Sequence, residues 1–164
     1  MTVNEVIARE EVRALVDEIM SFGISDIRSR LKVLSKYYTY DAHMITYIDD
    51  NVVADVVGRD KIADTLADAL EGVKHHYIMN GHHQIELDVN YEHAVDKHMS
   101  MLTFQTKENG VNYISTNYVF NIEKLKKEHG QWLVCERESH TMMIKKVAEA
   151  FNEEKRRFDV QFTI

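Results

Sequence analysis

From residue 74 to residue 142 the chain is a run of four β-rich stretches, at about 74–89, 92–106, 111–124 and 130–142. Only short turn signals part them: Asn90, Glu108-Asn109-Gly110 and Glu128-His129-Gly130. Strands joined by so few residues have no room for a crossover, so they pair antiparallel. A chain of 164 residues holds one domain with a core of useful size. The segments before this block must therefore supply the layer that covers one face of the sheet.

Those segments read as helices and short strands. Val12, Leu15, Val16, Ile19 and Met20 recur at three and four, a helical stripe that Gly23 ends. A second helical run begins near Ser25, with Ile27, Leu31, Leu34 and Tyr38 on one face. Between His43 and Val57 two short strands, "HMITYID" and "NVVADVV", are split by Asp49-Asp50-Asn51. "GRDKIADTLADALEGV" is an amphipathic helix with Ile62, Leu66, Leu70 and Val73 on one stripe. After the last long strand, Ile144, Val147, Phe151 and Phe158 predict a C-terminal helix, ending in the alternating tail "DVQFTI". The resulting class is α+β: a curved antiparallel sheet with helices packed on one face, an arrangement that can leave a cavity between them. The domain spans residues 1–145, and 146–164 form its C-terminal helix and tail.

Charge and cysteine usage narrow the partners. A net charge of −7 argues against a nucleic-acid backbone or an anionic membrane surface as the main partner. No apolar run approaches the roughly 18 residues of a membrane span. The single cysteine, Cys135, has no internal disulfide partner, and a cytoplasmic location is expected.

The stretch "KHHYIMNGHHQIELD", residues 74–88, carries two histidine pairs flanking Asn80-Gly81. It can be a metal site, a two-residue hairpin turning at Asn80-Gly81, or one long strand with a bulge at Gly81. Along a strand His75 and His76 point to opposite faces, as do His82 and His83, so at most one of each pair can serve one site. No metal is expected on that ground.

Five short motifs, in order, resemble the SnoaL-like family of the nuclear transport factor 2-like superfamily. They are Asp26 in "FGISDIRSRL"; the aromatic-rich "YYTYDAHM"; Gly58-Arg59-Asp60-Lys61-Ile62 opening a helix; His76 to Asn80; and Gly130-Gln131-Trp132 entering the last strand. The resemblance covers about residues 5 to 145. It implies a cone in which a bent sheet wraps the helices and a pocket opens at one end. It also favours the long-strand reading of 74–88. The function it implies is a cofactor-free lyase, isomerase or cyclase acting on a small apolar or polycyclic organic ligand; a non-catalytic binding or assembly module of the same fold is the alternative.

In the resembling enzymes a histidine at the position of His76 faces the cavity and transfers the proton, work that suits imidazole near neutral pH. Asp26 is the matching carboxylate, which would fix the tautomer and stabilise the imidazolium. A helix cap beside Ser25 is its other reading, as simple hydrogen bonding within a strand is for His76. The candidate lining comprises Tyr38 and Tyr47 from the tyrosine cluster, Asn80 on the same strand face as His76, His98, Phe104 and His140. On the long strands Met99, Met101 and Thr103 share one face, and His98, Leu102 and Phe104 the other. In "QWLVCERESHTMM", Trp132, Val134, Glu136, Glu138 and His140 alternate with Leu133, Cys135, Arg137 and Ser139. Trp132 is expected in the core. A homodimer is expected through the outer face of the sheet, where Met99, Met101 and Val119 need cover.

Overall fold

The computed structural model describes residues 1–21, 32–33, 35–73 and 75–149. Helix α1, Val3–Met20, starts at Thr2, whose side chain accepts from the Glu5 backbone N–H. A single 3-10 turn at Ser35–Tyr37 leads into β1, Tyr38–Ile48. Strand β2, Asn51–Val57, is followed by helix α2, Arg59–Ala69. The four long strands are β3, His75–Leu87; β4, His93–Glu108; β5, Val111–Glu128; and β6, Gln131–Ala148.

The six strands form one sheet in the order β2-β1-β6-β5-β4-β3. The consecutive long strands are antiparallel, and three tight hairpins join neighbours: Asp49-Asp50, Asn109-Gly110 and His129-Gly130 all have positive φ at both turn residues. That is the backbone twist a two-residue hairpin loop needs. The sheet is mixed, however, because β1 lies parallel to β6. The antiparallel expectation rested on short connections, and it fails for this one pair because α2, β2 and three long strands intervene between them.

Two boundaries also differ. Tyr38 begins β1 instead of closing a helix, since it pairs with Val134. Ile144 and Val147, whose spacing of three reads as helical, belong to β6, because Asn117 and Ile114 of β5 pair with them. The last strand thus runs through the residue 145/146 boundary to Ala148. Residues 150–164, with Phe151 and Phe158, lie outside the described residues, as do Ile27, Leu31 and Leu34.

The core lies where α1 seats on the concave face. Ala8, Val12, Val16 and Ile19 pack with Tyr38, Ala42, Met44, Ala94, Leu125, Trp132 and Val134. Trp132 is buried as expected, and its indole N–H donates to Glu11 at 3.1 Å. No helix among the described residues is long and apolar enough to cross a membrane.

Candidate active site and its polar row

Two bulges decide which side chains face inward. Segment 75–87 is one strand, as the long-strand reading requires, and its pairing with β4 shifts between Gly81 and Gln84. Before the shift His76, Ile78 and Asn80 face the helices; after it the parity changes and His83, Ile85 and Leu87 do. His82, at φ 58°, takes up the extra residue. In β6 the first of two shifts lies between Lys124 and Leu125 of its partner, where Glu136 and Val134 flank an extra Cys135; the second leaves Met142 extra between Thr141 and Met143. Simple alternation places Arg137 with Cys135 and opposite Trp132; the bulge instead puts Trp132, Val134, Arg137 and Ser139, all buried, on one face.

A cavity of about 400 Å³ opens between this face, α2 and the end of α1. Its walls are apolar, from Met44, Leu66, Leu102 and Phe104 among others, and its polar floor is Arg137, Asn121, Asn117 and Ser139. Such a mix of apolar wall and few convergent polar groups is what small-molecule sites share.

The floor belongs to a hydrogen-bonded row that crosses β6, β5, β4 and β3. Arg137 Nε donates to Ser139 Oγ at 3.4 Å, and Ser139 donates to Asn121 Oδ1 at 2.8 Å. Asn121 Nδ2 donates to Ser100 Oγ at 2.9 Å, and Ser100 donates to Asn80 Oδ1 at 2.8 Å. Asn80 Nδ2 then donates to Asp17 Oδ1 of α1 at 2.9 Å. Every bond points the same way, from a cation to a carboxylate, which lets each polarise the next.

Arg137 is held firmly. Its Nη1 donates to the Tyr38 hydroxyl at 3.0 Å and its Nη2 approaches Met20 Sδ at 3.2 Å. Burial opposes its charge, but Tyr38 and Glu123 more than restore it. Burial in turn pushes the Tyr38 phenol up, with Arg137 opposing. Glu123, 1% exposed, lies 3.4 Å from Arg137 Nε, yet neither of its oxygens has a hydrogen-bond partner. Burial therefore wins over the guanidinium's attraction and pushes its carboxyl up to about 7.

The far end of the row meets a second cluster. His83 Nδ1 lies 2.6 Å from Asp96 Oδ2, and its Nε2 lies 3.2 Å from Asp17 Oδ1. The bond to Asp96 raises the His83 pKa, against burial. His98 Nδ1 is 3.4 Å from the same Asp96 oxygen without hydrogen-bond alignment. Burial lowers the His98 pKa, with Asp96 opposing.

The sequence candidates distribute as follows. Phe104 lines the cavity. His76 is buried on the same face, paired with Phe104 one strand beyond the lining. Tyr38 is buried behind Arg137, Asn80 sits in the polar row, and His98 in the second cluster. Tyr47 and His140 are paired neighbours on β1 and β6 and stack at 4.5 Å. They stand on the convex face, because Thr46 and Ile48, and Ser139 and Thr141, take the cavity side. Asp26 lies outside the described residues. Sequence reasoning missed Arg137, Ser139 and His83, because a clean alternation rule cannot find residues beyond a bulge and no local signal marks Cys135 as one; it also missed Asp96 and Asn121, which alternate without a break with buried Ala94 and His98 and with Leu125 and were open to that rule.

No family model matches the chain, and no curated protein matches it. Solved structures do. A scytalone dehydratase-like protein from Novosphingobium aromaticivorans aligns over 88% of this chain and 91% of its own, at TM-score 0.68 and 16% identity. A hexachlorocyclohexane dehydrochlorinase aligns over 89% and 95%, at TM-score 0.66 and 11% identity. A nuclear transport factor 2-like protein with a cystatin-like fold, also from Novosphingobium aromaticivorans, aligns over 85% of both chains, at TM-score 0.63 and 16% identity. The chain has this α+β cone fold, a scaffold on which lyase-type proteins are built.

Proposed function

We propose that the chain is a SnoaL-like, cofactor-free enzyme of the lyase or isomerase type that moves a proton within its cavity. The observation that carries this reading is the apolar cavity of about 400 Å³ with one buried guanidinium on its floor and His76 on the adjoining strand. A ligand fitting it is a small apolar or polycyclic organic molecule with a carbonyl oxygen. His76 acts as the base, with Asp26 as its charge partner. It takes a proton from the carbon beside the carbonyl, and the electron pair moves onto the oxygen. Arg137, steadied by Tyr38, faces that developing negative charge. Collapse of the enolate then expels a leaving group or accepts the proton at another carbon. The acidic surface and single cysteine fit a cytoplasmic site of action. The exposed convex face, with Met79, Met99 and Met142, fits a homodimer.

The test is solvent deuterium incorporation into a panel of enolisable cyclic ketones, followed by NMR. Exchange above buffer is expected, falling by roughly two to four orders of magnitude in His76→Ala. Asp26→Asn is expected to keep the fold and lose part of the rate. That His76 stands outside the cavity lining favours one rival, a binding module. Ligands that bind the wild type and His76→Ala equally, with no exchange in either, would establish it.

A further inference from the structure

Among the described residues, one group of metal-ligating atoms lies away from the cavity: His83 on β3, and Asp96 and His98 on β4, with candidate ligand atoms all within 4.8 Å of one another. The divergence of adjacent histidines does not touch this group, because it takes one histidine from β3 and one from β4 on the same face. We infer that His83, Asp96 and His98 form a site for one divalent first-row transition ion, best matched by Zn2+. This goes beyond the proton-transfer reading and does not depend on it.

Four observations support the site. First, the ligands are of the right kind, since two imidazoles and a carboxylate suit a borderline ion that prefers nitrogen and oxygen. Second, the metal-free cluster leaves polar atoms without partners. His98 is 1% exposed and neither ring nitrogen makes a hydrogen bond, and Asp96 Oδ1, also buried, makes none. An unpaired buried polar group destabilises the fold. An ion bound by a His98 nitrogen and the Asp96 carboxylate relieves that deficit. The 3.4 Å from His98 Nδ1 to Asp96 Oδ2 is close to the separation of about 3.3 Å between two ligands of a tetrahedral ion.

Third, Asp17 supplies the outer partner. Its carboxylate faces His83 Nε2 at 3.2 Å, which leaves Nδ1 as the nitrogen turned to Asp96 and His98. A carboxylate behind a ligating imidazole is the usual way its tautomer is fixed. Fourth, the charge balance is right. Two carboxylates, Asp17 and Asp96, lie 3.2 and 2.6 Å from the two ring nitrogens of His83 and can offset a divalent charge. A divalent ion takes the place of the proton between His83 Nδ1 and Asp96, so binding competes with protons and weakens as pH falls. The short His83–Asp96 hydrogen bond, 2.6 Å, opens as the ion takes the proton's place. The bulge that brings His83 inward holds His82, a non-glycine residue, at φ 58°. Strained bulges of this sort recur beside functional sites.

The experiment uses the full chain, tag removed and stripped with chelator, titrated with Zn2+ by calorimetry and with Co2+ by visible absorption. Saturation at one equivalent is expected, with a rise in Tm that Mg2+ does not reproduce. His98→Gln is expected to weaken binding at least about a hundredfold, and Asp17→Asn about tenfold. The double variant His75→Gln/His82→Gln, which removes the exposed histidines of β3, is expected to bind as the wild type does. Because a variant at a wholly buried histidine can fail to fold, the wild type also carries an NMR test. Zn2+ must move the imidazole resonances of His83 and His98 and leave those of His75 and His82 in place. Absence of one-equivalent binding, or shifts confined to His75 and His82, would overturn the inference.

Discussion

Replacing Glu123 by Gln tests whether burial or the neighbouring guanidinium governs this carboxyl. The side chain is 1% exposed, its two oxygens lack hydrogen-bond partners, and Arg137 reaches it only at 3.4 Å. Its carboxyl is pushed from an ordinary 4.5 up to about 7. Between those values the folded chain binds more protons than the unfolded chain, so this group's contribution to stability falls as pH rises. Going from 4.5 to about 7 corresponds to ~3.4 kcal/mol once the group is ionised in both states, at ~1.36 kcal/mol for each tenfold change. Of this, about 2 kcal/mol falls between about pH 5.5 and about pH 8.5. Gln cannot titrate, so Glu123→Gln lacks that fall. Urea denaturation of both proteins, in chelator, at these two pH values cancels the other titrating groups in the difference. The stability of the variant relative to wild type is expected to improve by about 2 kcal/mol on going to the higher pH. A flat difference, or one that moves towards the wild type, would mean that the ion pair with Arg137 holds the carboxylate charged and that burial does not govern it.

Asn121→Leu breaks the polar row in its middle, taking the donor from Ser100 and the acceptor from the buried Ser139 hydroxyl, so unfolding should become easier by about 1–3 kcal/mol, read from urea midpoints. His83 has a raised pKa and so stabilises the fold below its ordinary value of 6.5, an effect lost as pH rises through the folded value. His83→Gln in chelator should therefore be less stable than wild type near about pH 6, with the gap closing at higher pH; a gap that widens with pH contradicts this. On the convex face, Met99→Lys places a charge among Met79, Met101 and Tyr118 and should convert a dimer to a monomer in sedimentation velocity. A wild type that sediments as a monomer at high concentration removes the dimer from the reading.

The long strands, the α2 stripe and the burial of Trp132 were legible because alternation, helical period and turn chemistry are local. The cavity-facing position of Phe104 followed from unbroken alternation in β4, where every even residue from Ala94 to Ser100 is buried. Legibility stopped at the bulges. Past Gly81 the inward histidine is His83 and not His82, and past Cys135 the inward residues are Arg137 and Ser139 and not Glu136, Glu138 and His140. A bulge is a property of two paired strands, so one strand's pattern does not announce it. The extension of β6 to Ala148 was hidden for the same reason, since only Tyr113–Tyr118 on β5 claims those residues.

The position of the first extra residue in β6 has a consequence for chain-length changes. Removing one residue from the interior of a strand ordinarily inverts every side chain beyond it. At Cys135 it does not. Leu125 already pairs with Val134 and Lys124 with Glu136, so a chain lacking residue 135 keeps both pairings and keeps Arg137 and Ser139 on the side of Trp132. What disappears is the local bend that a bulge adds to its strand. Deletion of Cys135 is thus a one-residue edit that separates the curvature of the sheet from its register. The volume left between sheet and helix in that shortened chain would report how much of the cavity the curvature alone creates.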